Sequence, residues 1–148
     1  MRSKAVAVAI ALPLSVVTFC WGLATTAKAD YETFELSPNF MPNPVRGQGQ
    51  SGGTVWRDDC GYVNTNDAPD HILELTADFS ALRVSVVSPG DVTLFMRRQG
   101  TSETKCVDDS NGTLLPEFVG TWPAGRYHIW IGDWDGEFYP YEIYISHE

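Results

Sequence analysis

The chain has 148 residues and a formal net charge of −9, from 19 acidic against 10 basic side chains. That length supports one domain with a single core and no more. The acidic excess repels phosphate backbones and anionic lipid, which argues against nucleic acid or a membrane surface as partner and leaves solubility or divalent cations as its uses.

The first residues read as a processing segment. Arg2 and Lys4 precede an apolar run over 5–24 that contains Pro13, and Ala27-Lys28-Ala29 supplies the small residues a signal peptidase requires. Cleavage before Asp30 predicts a signal peptide over 1–29 and a mature chain over 30–148 that is secreted or periplasmic, with no membrane segment after cleavage. The competing reading is an uncleaved anchor, since the run approaches spanning length; Pro13 and the cleavage site count against it. Bulky Phe19 before Cys20 does not fit a lipoprotein signal. The two remaining cysteines, Cys60 and Cys106, point to one disulfide in an oxidising compartment. A metal site built from two lone thiols is the poorer reading, because no CxxC accompanies them.

Residues 30–55 carry Tyr31, Phe34, Leu36, Phe40 and Met41 among Pro38, Pro42 and Pro44. Prolines deny ladder hydrogen bonds, so this stretch is expected as an irregular leader packed across the domain, with 47–53 as a flexible Gly-rich turn. A short strand is expected near Trp56, followed by a polar loop over 64–70. From His71 the pattern is β throughout. Leu82, Val84 and Val86 alternate with polar residues, and a Ser88-Pro89-Gly90-Asp91 turn leads to a strand carrying Val92, Leu94 and Met96. Residues 99–105 read as a loop or short edge strand, and Phe118-Val119 as a short strand. Tyr127, Ile129 and Ile131, then Tyr141, Ile143 and Ile145, complete two more alternations. No mature segment has a sustained helical period. The prediction is an all-β fold, a single antiparallel jelly-roll-like β-sandwich over 56–148.

Three constellations invite a chemical reading. Gly49-Gln50-Ser51-Gly52-Gly53 is similar to the nucleophile motif of chymotrypsin-like proteases, but no histidine precedes Ser51 and Gln50 replaces the aspartate. A serine nucleophile needs a base and an orienting carboxylate, so a hydrolase around Ser51 is the weakest of the readings. The turn Asp108-Asp109-Ser110-Asn111-Gly112, with Asp91, offers oxygens of the kind calcium takes in sets of 6–8. Asp91, Asp108, Asp109 and Asn111 are therefore the candidate metal ligands; an ordinary solvated Asn-Gly turn is the alternative. Asn111-Gly112-Thr113 also matches an N-glycosylation sequon. Third, Trp130 and Tyr144 fall opposite the core faces of their strands, as ring planes that could bind sugars or as the cover of a second face.

Four segments together resemble the bacterial pre-peptidase C-terminal domain. They are Asp91-Val92-Thr93-Leu94, Cys106-Val107-Asp108-Asp109, Gly125-Arg126-Tyr127-His128-Ile129-Trp130-Ile131-Gly132 and Tyr141-Glu142-Ile143-Tyr144-Ile145-Ser146, spread over roughly 71–147. The resemblance implies a jelly-roll-like sandwich, usually attached to secreted peptidases, non-catalytic, with calcium or matrix binding in some members. It marks Asp91, Asp108 and Asp109 as calcium or turn residues. The chain carries no peptidase domain, and the leader and the cysteine pair are not general features of that family. The expected function is a non-enzymatic exported module that binds an extracellular or periplasmic polymer or protein, stiffened by calcium; a carbohydrate-binding, lectin-like domain is the alternative.

Overall fold

A computed structural model describes residues 32–147; the expected signal peptide lies outside the described residues. The strands run in chain order as β1 (Glu32–Leu36), β2 (Val45–Gln50), β3 (Trp56–Arg57), β4 (Gly61–Tyr62), β5 (His71–Leu75) and β6 (Phe79–Val87). They continue as β7 (Val92–Arg98), β8 (Thr104–Val107), β9 (Glu117–Trp122), β10 (Gly125–Asp133) and β11 (Pro140–His147).

These strands form two sheets. In the larger one β10 is central: β5 and β4 lie successively along one of its edges, with β1 and β3 outside them, and β7 then β8 lie on the other. The smaller sheet has the order β2-β11-β6-β9. Leu73, Leu94, Ile129 and Ile131 of the first sheet meet Leu82, Val84, Val86, Ile143 and Ile145 of the second in one apolar cluster. Period-2 alternation puts these residues on inner faces, and burying them is the main stabilising term of the sandwich. The all-β sandwich expected from the alternation is what the chain forms. One pair departs from the antiparallel rule: β1 runs parallel to β5, with Phe34 opposite Leu73 and Leu36 opposite Leu75.

Within the 30–55 stretch, expected as an irregular leader, the described residues form two strands, β1 and β2, with irregular chain over 37–44 and 51–55. Its prolines sit between β1 and β2, at the turn rather than in the strands, so each strand keeps its ladder. Both strands are sheet edges. The Gly-rich segment read as a flexible turn is largely strand β2, paired with β11 from Val45↔Ile145 to Gln50↔Pro140. Gly49 is there because a Cβ would lie 2.4 Å from the Tyr141 hydroxyl.

The outer face of the larger sheet carries a second small core of Cys60, Val63, Phe95 and Trp130, with Cys106 packed against it. Cys60 and Cys106 are joined by a disulfide with 5.8 Å between Cα atoms, which pins the β3–β4 hairpin over β7 and β8. Arg57 lies over the Phe95 ring at 4.7 Å and Arg97 over the Trp130 ring at 4.7 Å, closing this face with cations on aromatic planes.

Candidate functional site

Antiparallel pairing of β7 with β8 sets Leu94 opposite Val107, so the residue before β7 and those after β8 reach the same end of the sheet. Those residues are Asp91, Asp108 and Asp109, whose carboxylates offer oxygens within 4.8 Å of one another. Val92 is also opposite Asp133 of β10, which brings the turn carrying Asp135 to this end. Burial, then the charge of Asp109, then those of Asp135 and Asp133 push the Asp91 carboxyl above its ordinary value. Burial first, then Asp109 and Asp91, do the same to Asp108. Desolvation and like charge act together here.

Two of these oxygens, Oδ1 of Asp91 and Oδ1 of Asp108, are buried and lack a hydrogen-bond partner among the described residues. Orphaned buried carboxylate oxygens are costly, and a hard cation is the group that would satisfy them. The donor set therefore fits calcium. Asn111 stands two residues beyond Asp109; its backbone is left-handed at φ 54, and its amide N–H donates to Glu117 Oε1 at 3.1 Å, which directs that nitrogen toward β9.

The other singled-out residues take structural roles. Trp130 is 3% exposed, its indole N–H donating to the Asp67 carbonyl at 3.3 Å. Its ring is core, so it presents no open plane to a sugar; of the two uses read from its strand position, covering a second face is the one observed. Tyr144 is half-buried, with the Arg46 guanidinium 5.2 Å from its ring centre and its hydroxyl bonded to Glu142. Ser51 is 2% exposed; its hydroxyl donates to Asp133 Oδ2 at 3.0 Å and accepts from the Tyr139 N–H at 2.8 Å. The histidines have other contacts: His71 with the Tyr141 hydroxyl at 2.8 Å, His147 with the Phe40 carbonyl at 3.3 Å, and His128 edge-on to Trp130. A serine nucleophile of that kind requires an accessible oxygen and a histidine base, and Ser51 is buried with the Asp133 carboxylate on its hydroxyl.

Sequence reasoning missed the exposed aromatic residues at this end. Trp56 and Trp134 are 47% and 38% exposed, with ring centres 5.3 Å apart. Trp134 falls after a strand and Trp56 in a two-residue strand, so neither lies in an alternation long enough to assign a face.

No protein-family model matches the chain. Two solved structures share its general layout. One is the pre-peptidase C-terminal domain of a collagenase from Bacillus anthracis, with 14% identity, covering 78% of this chain and 96% of that one at a TM-score of 0.47. The other is PliG of Aeromonas hydrophila, a periplasmic lysozyme inhibitor of g-type lysozyme, with 14% identity, the same two coverages and a TM-score of 0.45. At such identities neither protein's binding or activity transfers to this chain. An uncharacterized protein of Synechococcus elongatus is 30% identical over 142 residues, spanning 95% of this chain and 92% of its own length. The chain belongs to the same family as that Synechococcus elongatus protein.

Proposed function

We propose that the chain is an exported, non-catalytic β-sandwich module that holds a calcium ion between Asp91, Asp108 and Asp109 and binds a polymer or protein outside the cytoplasm. The observation that carries the metal part is the pair of buried, unpartnered Oδ1 atoms of Asp91 and Asp108 beside a third carboxylate. Calcium would neutralise three converging charges and tie the β7 and β8 ends together. The disulfide and the signal-like leader support export. The non-catalytic reading is supported by the burial of Ser51 and its bonds to Asp133 and Tyr139.

Thermal melting of the mature protein in millimolar calcium against chelator tests the metal. A ligand that binds only the folded state stabilises it by mass action, by about 2.7 kcal/mol at a hundredfold excess over Kd, and so raises the midpoint. Asp108→Asn should abolish most of the shift, and in chelator it should melt no lower than wild type, because it relieves the like charge of Asp91 and Asp109. Identical wild-type curves with and without calcium would remove calcium from this reading.

A further inference from the structure

A second surface of defined chemistry lies on the β3–β4 hairpin. Trp56 and Tyr62 face each other across the hairpin, rings edge-on at 5.0 Å, and Trp134 closes on Trp56. Tyr62 is opposite Asp133, so the turn leaving β10 lies against the hairpin. Such close approach requires glycine at position 61, where φ is +62° and a Cβ would lie 2.5 Å from the Asp133 carbonyl oxygen.

The orientation of these rings is fixed by their neighbours. The Trp56 indole N–H donates to Asp58 Oδ1 at 3.1 Å, which occupies its only polar donor and leaves the ring face for a ligand. Asp135, adjacent to Trp134, is held by the Tyr139 hydroxyl at 2.7 Å. The arginine beside Trp56 is turned elsewhere: Arg57 lies over Phe95 and pairs with Asp59 at 3.3 Å. Exposed indole faces with carboxylates at their margin combine two attractions for the same ligand, the negative face of the ring and the negative charge beside it.

We infer that Trp56 and Trp134, with Asp58 and Asp135, form a docking platform for a Lys- or Arg-bearing segment of a protein partner. Guanidinium groups stack on indole faces and pair with carboxylates. The formal charge of −9 steers a cationic partner toward the chain, and complementarity at the platform orients it. A neutral sugar would stack on the rings and donate hydroxyls to the carboxylates, but the net charge of the chain would not steer it. This inference rests on the reading of the chain as a binding module and names the partner's chemistry. It uses side chains other than Asp91, Asp108 and Asp109, although the Trp134 N–H donates to the Asp91 carbonyl at 3.0 Å; the readouts, peptide affinity here and calcium-dependent melting there, keep the failure of one distinguishable from the failure of the other.

The test is calorimetric titration of the mature protein with a hexa-arginine peptide in calcium-free buffer. Saturable binding is expected, weakened about tenfold by Trp134→Ala and less by Trp134→Tyr, which keeps a ring. Circular dichroism melts confirm that each variant is folded. Asp58→Asn and Glu35→Gln each remove one negative charge. Glu35 is exposed on β1 and aligns through Glu74 with Arg126, at the opposite end of β10 from Asp133. Asp58→Asn should weaken binding severalfold and Glu35→Gln should leave it unchanged. Equal weakening by both would reduce the attraction to diffuse charge and overturn the platform. Binding of cellotetraose in place of hexa-arginine would also overturn it, in favour of a sugar site. Absence of any hexa-arginine binding would do the same.

Discussion

Ser51 and Asp133 are bonded at 3.0 Å across 82 positions of sequence, in the buried space between the end of β2 and the turn after β10. Asp133 also accepts from the N–H groups of Gly136 and Phe138, so one carboxylate organises the whole turn. The serine hydroxyl completes that set and in turn receives the Tyr139 N–H. What looks like a nucleophile motif is a structural clasp.

Removing that hydroxyl should therefore destabilise the protein. Ser51→Ala leaves the Tyr139 N–H without its acceptor and Asp133 short of a donor, at a cost of about 1–3 kcal/mol. The urea midpoint should fall with an unchanged slope. An unaltered midpoint together with loss of a hydrolytic activity shown by pure wild type would restore Ser51 as a nucleophile.

Asp70 and His71 are sequence neighbours whose proton affinities are displaced in opposite directions. Burial, only partly offset by the hydrogen bond from the Ile131 N–H, raises Asp70 from 3.8 to about 6. Burial lowers His71 from 6.5 to about 4, with the Tyr141 hydroxyl on one ring nitrogen and Glu32 3.7 Å from the other. Between those values the unfolded chain binds the histidine proton more readily, so that residue makes stability rise with pH. For Asp70 the folded chain holds the proton, so stability falls as pH rises from 3.8 to about 6. Each effect reaches at most about 3 kcal/mol, and over the shared window they oppose each other. Denaturation at a series of pH values should show that Asp70→Asn steepens the climb in stability from acid toward neutral pH, whereas His71→Asn reverses it. Identical profiles for wild type and Asp70→Asn would refute the coupling.

The disulfide gives a third expectation. Thiol titration of the folded mature protein should find no reactive group at Cys60 or Cys106. Reduction should lower stability by about 4 kcal/mol on the loop-entropy model for a closure of this length. The β3–β4 hairpin should loosen first, because its two short strands have few ladder bonds beyond those to each other and to Asp133. Hydrogen exchange at Gly61 and Tyr62, before and after reduction, reads this directly. Protection unchanged by reduction would show that packing on Phe95 and Trp130 holds the hairpin without the bridge.

Where the sequence was legible, the reason was period. Residues 141–145 alternate cleanly because one face of the strand meets the core, Tyr127, Ile129 and Ile131 mark the core face of β10 in the same way, and both strands form as read. The acidic ligand candidates were legible in part: Asp91, Asp108 and Asp109 converge because a hairpin register joins them, whereas Asn111 lies beyond that register. The edge strands beside the prolines were obscured by composition, although Phe34 and Leu36 alternate with Thr33 and Glu35 in β1 and glycines alternate with glutamines in β2. In β2 the missing side chains are supplied from opposite, by Tyr141 and its neighbours, and a single chain does not reveal such compensation. Trp130 was ambiguous for a related reason: alternation separates two faces of a strand but does not say whether the second is covered. Here Cys60, Val63 and Phe95 cover it.

The place of β11 between β2 and β6 also fixes an order of events. β2 and β6 share no ladder; each joins the smaller sheet through β11, Val45 and Val84 both facing Ile145. Until the last of these strands is available, β2 has no partner in its sheet, and β6 has only β9. The inner faces with Leu82, Val84 and Val86 remain half-covered during that interval. A chain threaded through a membrane from its N-terminus would carry two open strand edges until β11 arrives. Its vulnerable period is the delay before closure, when edge pairing with another copy competes with insertion of the final strand.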